Sequence, residues 1–283
     1  MQAQILIDGL CFGEGPRWRD GWLWFSDMHD QKVRKVAPDG TSETVVELTD
    51  DQPSGLGWLP DGDLLIVSMT KRQLLRFDGS RLSVHADLST LASWHCNDMV
   101  VDVLGRAYVG NFGFDLHTGA KPRPAELIRV DPDGQATVVA DDLMFPNGTV
   151  ITDDRATLIV GESFGGRLTA YDVDADGSLS NKRLWAQLPE GAVPDGICLD
   201  SAGGIWSASP TSNDCLRQTE GGDITHEIAL DRGAFACMLD DGDGDGPRLY
   251  VLTSSSSDPS ECRFRRDARI EVFDAPHPRA GRP

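Results

Sequence analysis

Short apolar runs separated by turn residues dominate this chain, and their order repeats six times. The first unit reads Trp22-Leu23-Trp24-Phe25-Ser26-Asp27, then Lys32-Val33-Arg34-Lys35-Val36, then Thr44-Val45-Val46, broken by Asp20-Gly21, His29-Asp30 and Pro38-Asp39-Gly40. Such runs, rich in β-branched and aromatic residues and bounded by Gly, Pro and Asp, predict strands joined by tight turns. Later units carry Leu64-Leu65-Ile66-Val67, Ala107-Tyr108-Val109-Gly110, Thr157-Leu158-Ile159-Val160, Ile205-Trp206-Ser207-Ala208 and Leu249-Tyr250-Val251-Leu252 in the corresponding place. Helical periodicity nowhere survives more than about two turns, so the chain reads as all-β.

One residue heads each unit in a common register: Glu14, Ser54, Asn97, Asn147, Asp195 and Phe235, spaced 40 to 50 residues apart. Five residues further on stand Arg19, Leu59, Asp102, Thr152, Asp200 and Asp240. A repeat of that length with several strands per unit predicts a six-bladed β-propeller, and because it fills the chain it predicts one domain over residues 1–283. Ile5-Leu6-Ile7 precedes the first blade without a partner of its own, so it is expected to pair with the last blade and close the ring, hiding edge strands. The stretch 275–283, with Pro276, Pro278 and Pro283, is expected to be an irregular, exposed tail of little chemical importance.

Equivalent positions of successive blades face one axis. A turn-forming preference alone accounts for any single Asn or Asp before a strand. Four oxygen-bearing residues in register, Glu14, Asn97, Asn147 and Asp195, point instead to ligands for one metal ion. Two carboxylates and two carboxamides are hard donors, which favour Ca²⁺ first and also admit Mg²⁺, Mn²⁺ or Zn²⁺.

The net charge of −19 disfavours nucleic acid and anionic membranes as partners and is compatible with a cation site and a neutral small substrate. No apolar run reaches the roughly 18 residues of a membrane span. Met1 to Leu10 lack a basic head and a cleavable apolar core, so the expected compartment is the cytoplasm. Six cysteines without a C-x-x-C pair read as buried apolar residues in a reducing compartment, with Cys96 the one beside a candidate ligand. A closed propeller covers its edges, so a monomer or weak oligomer is expected.

Other motifs yield less. Gly161-Glu162-Ser163-Phe164-Gly165 has the spacing of a hydrolase nucleophile elbow, but Arg167 to Tyr171 continues as a strand where a helix is required, so an inter-strand turn at the mouth of the site is expected. Asp241-Gly242-Asp243-Gly244-Asp245-Gly246 begins like an EF-hand loop, yet its twelfth position is Leu252, and a solvated turn is expected. Asn147-Gly148-Thr149 is a glycosylation sequon that an Asn facing the channel cannot use. His95, two residues before Asn97, stands on the approach to the metal as a candidate substrate contact or proton shuttle, with Trp94, Phe164 and Phe235 as an apolar wall.

In combination, Gly13-Glu14-Gly15-Pro16-Arg17-Trp18, Leu23-Trp24-Phe25-Ser26-Asp27, Asn97-Asp98, Phe145-Pro146-Asn147-Gly148, Pro194-Asp195-Gly196 and Arg269-Ile270-Glu271-Val272 resemble the gluconolactonase family, which includes regucalcin. The resemblance runs from about Leu10 to the C-terminus. It implies a six-bladed propeller with one catalytic divalent cation held by Glu14, Asn97, Asn147 and Asp195, and lactone hydrolysis as the activity. The chain departs from the family where sugar-lactone enzymes carry an Arg two residues before the Asn97 position. Here that residue is His95 beside Trp94, so the expected substrate is a sugar lactone or, given His95, an aryl or alkyl lactone.

Mechanistically, the cation is expected to polarise the lactone carbonyl while a carboxylate takes the proton of the attacking water. Asp195 is the first candidate base, with Asp98 and His95 the alternatives, and Asn97, His95, Trp94, Phe164 and Phe235 are the expected substrate contacts. The competing readings are a metal-dependent phosphotriesterase or esterase and a non-catalytic calcium-binding propeller, since a fold alone does not fix a reaction.

Overall fold

Six antiparallel four-stranded sheets make up the computed structural model, which describes residues 4–116, 118–242, 244 and 246–283. Their innermost strands, Gly13–Arg19, Pro53–Trp58, Cys96–Val101, Pro146–Ile151, Ile197–Leu199 and Gly233–Leu239, touch in succession, and the last touches the first, which closes a six-bladed β-propeller. In five blades the four strands follow sequence order. In the sixth, Gly233–Leu239, Arg248–Ser254 and Ala268–Asp274 are joined by the chain's own first strand, Gln4–Leu10. Gln4 lies opposite Val272 and Leu10 opposite Ala268, so the expected closure forms, with a longer strand than Ile5-Leu6-Ile7.

Burial falls from the axis outwards. The second strands Leu64–Ser68, Ala107–Asn111 and Ile205–Ser209 are buried at every position because both their faces are covered by neighbouring blades. The outermost strands Ser42–Glu47, Leu82–Asp87 and Ile224–Ala229 are mostly exposed and correspondingly polar. The apolar runs of the second strands therefore supply a large share of the inter-blade core, with Trp206, Tyr108, Tyr250 and Phe25 among its largest fully buried side chains.

The inner strands approach one another too closely for side chains at certain points. A Cβ on Gly15 would lie 2.7 Å from the Ser54 carbonyl oxygen, and one on Gly148 would lie 2.4 Å from the Ile197 nitrogen. Both glycines directly follow a register residue, so the step from a donor residue to Gly lets the ring close around a narrow axis.

Two expectations need correction. A seven-residue helix, Pro259–Arg265, interrupts the sixth blade. Asp258 caps it by accepting from the Ser260 and Glu261 N–H groups, Pro259 occupies its first turn, and Cys262 buries its inner face. At two turns it is too short for periodicity to reveal, but Asp258-Pro259-Ser260-Glu261 is a legible start signal. The tail is irregular but not exposed: residues 277–283 are half-buried. Its backbone bonds to three blades, Arg279 N–H to the Asp240 carbonyl, Ala280 N–H to Leu199, and Ile151 and Arg282 to each other in both directions. It thereby crosses one end of the channel.

All six cysteines are buried and free. Asp243 and Asp245 of the EF-hand-like run lie outside the described residues, and no helix is long and apolar enough to cross a membrane.

Candidate metal centre and active site

Each register residue stands within two residues of the start of an inner strand, and in five blades the ladder is interrupted at it. Register shifts fall between Glu14 and Arg17, Pro53 and Leu56, Cys96 and Met99, Pro146 and Thr149, and Ala234 and Ala236. Such bulges re-aim a side chain. Here they coincide with residues turned to the axis, and Glu14, Asn97, Asn147, Asp195 and Phe235 all line one cavity of about 630 Å³.

The four oxygen residues converge on its floor. Asn147 Nδ2 donates to Asp195 Oδ1 at 2.5 Å and to Ser163 Oγ at 3.2 Å. Ser54 Oγ donates to Asn97 Oδ1 at 3.4 Å, whereas Asn97 Nδ2 is buried without an acceptor. The Gly15 N–H reaches Glu14 Oε2 at 3.2 Å. Burial, and then the neighbouring Asp195 and Asp98 charges, push the Glu14 carboxyl well above its ordinary range. Burial likewise raises Asp195 to about 8, against the Asn147 hydrogen bond that favours its charged form. Two carboxyls that hold on to protons because burial disfavours their charged forms make a site short of positive charge.

A divalent cation fits that deficit. Glu14 and Asp195 would supply charge, and Asn97 and Asn147 each carry an amide oxygen able to serve as a hard donor. Among the described residues no group of three or more His, Cys, Asp or Glu side chains is placed to hold a metal, so the candidate centre depends on its carboxamides.

Beneath the floor, Arg17 braces the ring. Its guanidinium donates to the Leu56 and Pro16 carbonyls and meets Asp98 Oδ1 at 2.6 Å, a fully sequestered ion pair tying the inner strands of the first three blades together. Asp98 is thus engaged below the cavity and does not line it.

Other expected site residues separate. Phe164 sits at the lip, 46% exposed, with ring centroids 5.1 Å from Phe114 and 5.4 Å from Phe145. Phe235 closes the far side edge-on to Phe12 at 4.7 Å. Trp94 and His95 stack on each other at 5.0 Å behind Phe112 and do not line the cavity. The strand begins only at Cys96, so the alternation that would put residues 95 and 97 on one face does not extend back to His95. The imidazole in the cavity is His29, carried on the 3-10 turn Met28–Asp30. It is stacked on Phe12 at 4.9 Å, with Nε2 3.3 Å from the Ser257 carbonyl oxygen. In the sequence His29 reads only as a turn residue.

The elbow-like string forms a 3-10 turn, Ser163–Gly165, as expected of an inter-strand turn. Ser163 Oγ donates to the Pro194 carbonyl at 2.7 Å while accepting from Asn147, so the hydroxyl orients a candidate ligand.

A second set of repeated residues, overlooked in the sequence, positions the loops above the floor. At the outer end of each second strand a polar side chain holds the loop beside it. Asp27 Oδ1 accepts from the Cys11 and Phe12 N–H groups, Asn111 Oδ1 from Gly113, Glu162 Oε2 from Met144, and Ser209 Oγ from Val193. Arg167 and Thr169 further fix Glu162, whose carboxyl is held below its ordinary range by these hydrogen bonds despite burial. Phe12, Phe112 and Phe145 are consequently presented from clamped loops.

Comparison with known proteins agrees with this architecture. The chain is 28% identical over 254 residues to a 6-deoxy-6-sulfogluconolactonase of Pseudomonas putida, covering 88% of this chain and 85% of the relative. It is 29% identical over 214 residues to a pentonolactonase of Haloferax volcanii, covering 74% and 70%. The solved structure of a regucalcin from Agrobacterium tumefaciens, described as a calcium-binding protein, superposes with a TM-score of 0.77 at 18% identity, covering 99% of this chain and 97% of that one, a likeness of fold. Residues 12–255 match the SMP-30/Gluconolactonase/LRE-like region, and with a closed six-bladed propeller the chain belongs to that family.

Proposed function

We propose that this protein is a divalent-cation-dependent hydrolase that opens a lactone ring at the floor of the 630 Å³ cavity. The observation that carries the reading is the convergence of Glu14, Asn97, Asn147 and Asp195 from four different blades on one buried floor. Their hard oxygens suit Ca²⁺ above softer ions. When bound there, the cation supplies Lewis-acid polarisation of the carbonyl and compensation for charge developing on its oxygen.

The chain's own groups do the rest. Asp195 takes the proton of the attacking water at the carboxylate oxygen that Asn147 does not engage, and Asn147, held by Ser163, fixes the direction of that carboxylate. Asp98, committed to Arg17, acts as a positioning residue rather than a base. His29 is the cavity-lining imidazole that can return a proton to the departing alkoxide. The clamped aromatic loops exclude water from the ester.

A pH-indicator assay on a lactone panel, run with Ca²⁺ and with chelator, tests this. Hydrolysis that disappears with chelator and returns with Ca²⁺ is expected. Turnover indifferent to chelator, or confined to organophosphates and open esters, refutes it.

A further inference from the structure

We infer that the substrate is a lactone bearing an aryl or alkyl substituent rather than a polyhydroxylated sugar lactone, an assignment of substrate class that rests on the lactonase reading above. The cavity separates into two zones. Its floor is polar, while its wall is built from Phe112, Phe145, Phe164, Phe235, Met28 and Met69. Among the described residues no lysine or arginine side chain lines it.

Three of the polar side chains around the cavity are already engaged, while Gln52 and Ser257 also line it. The Ser163 hydroxyl donates to the Pro194 carbonyl, the Thr211 hydroxyl donates to the Gly191 carbonyl at 2.6 Å, and His29 Nε2 lies 3.3 Å from the Ser257 carbonyl. A sugar lactone seated with its ester on the floor would press its ring hydroxyls against phenyl rings. Each hydroxyl left without a partner costs about fivefold or more in affinity. An apolar substituent incurs no such loss and gains from the area it removes from water, about threefold to fourfold per methylene.

The rings also offer a shaped seat. Phe112 and Phe145 stack at 4.5 Å, Phe164 stands over Phe114 and Phe145, and Phe235 meets Phe12 edge-on. Phe164 is large, apolar and nearly half exposed at the lip, as expected of a side chain waiting for an apolar partner. The cavity volume is ample for a bicyclic or chain-bearing lactone.

The test is a comparison of kcat/KM on glucono-δ-lactone, dihydrocoumarin and the series from δ-hexanolactone to δ-decalactone, with Ca²⁺ present. The expected result is a preference of at least about tenfold for dihydrocoumarin over the sugar lactone. Values along the alkyl series should rise about threefold per methylene until the wall is filled. Phe164→Ala should raise KM for δ-decalactone about tenfold and flatten the series. Faster turnover of the sugar lactone, or an alkyl series with no slope, overturns this substrate class and leaves the lactonase reading standing. Turnover of none of these lactones overturns the lactonase reading, and the substrate class falls with it.

Discussion

At one mouth of the channel the inner strands begin, and Glu14, Asn97, Asn147 and Asp195 look into an apolar-walled cavity. At the other mouth the same strands end, in a register that carries Asp102, Asp200 and Asp240. Carboxylates stand at both ends, and their partners differ. Asp102 accepts from the Leu104 and Arg106 N–H groups and pairs with the Arg106 guanidinium at 2.6 Å. Asp200 accepts from Ala202 and Gly204 and pairs with Arg217 at 2.5 Å. Asp240 accepts from Gly242 and Arg248. Every one of these lower carboxylates closes a turn. The upper pair, Glu14 and Asp195, face each other instead, and burial leaves them holding protons. The same residue type is tied into a turn at one end of the channel and left buried at the lining of a cavity at the other.

The sharpest way to break this contrast is to exchange the charge at each end. Asp195→Asn should lower kcat by about a thousandfold, the scale of a lost general base, with folding intact by circular dichroism. Asp200→Asn should destabilise the fold by about 3 kcal/mol, through the Arg217 charge it leaves buried, while the folded fraction keeps its kcat. Near-wild-type turnover in Asp195→Asn removes the distinction between the mouths.

Calcium should act at the upper end alone. Binding at a hundred times Kd stabilises by about 2.7 kcal/mol, several degrees in Tm by calorimetry, and Glu14→Gln should abolish most of that gain.

Acidity sharpens the same point. In the metal-free protein the Asp195 carboxyl titrates near 8, above its value in the unfolded chain. As pH rises between the two values the unfolded chain has given up the proton and the folded protein has kept it, so stability falls. Thermal melts of metal-free protein should therefore decline from about pH 4 to about pH 8, and Ca²⁺ should flatten the curve.

The smallest effect belongs to the tail. Deleting residues 278–283 removes backbone bonds to three blades, and the chain entropy recovered offsets part of their value. A loss of about 1 to 3 kcal/mol is expected in denaturant melts, with kcat/KM unchanged within about twofold. A large fall in activity would mean that the two ends communicate.

Much of this is legible in the sequence. The blade order and the register that brings Glu14, Asn97, Asn147 and Asp195 to one cavity follow from a six-fold spacing that turn chemistry and apolar runs make explicit, and the closing role of the first strand follows from its lack of a partner. Other features are not. His95 was placed by an alternation that stops where the strand starts, and His29 went unread as a ligand-side residue because it sits in a turn that looks like any other. The helix Pro259–Arg265 shows itself through its cap rather than its period. The tail's prolines signal irregularity, but irregular chain can still be pinned, and the partners that pin it, Ile151, Leu199 and Asp240, are distant in sequence.

The sixth blade is woven from both ends of the polypeptide. During synthesis Gln4–Leu10 leaves the ribosome long before Ala268–Asp274, its neighbour in the sheet, has been made. Until then the nascent protein is an open arc with a bare strand at each end, the condition in which chains pair with one another instead of with themselves. Shortening the first ten residues should thus be felt as lost yield in the cell, well away from the chemistry at the hub.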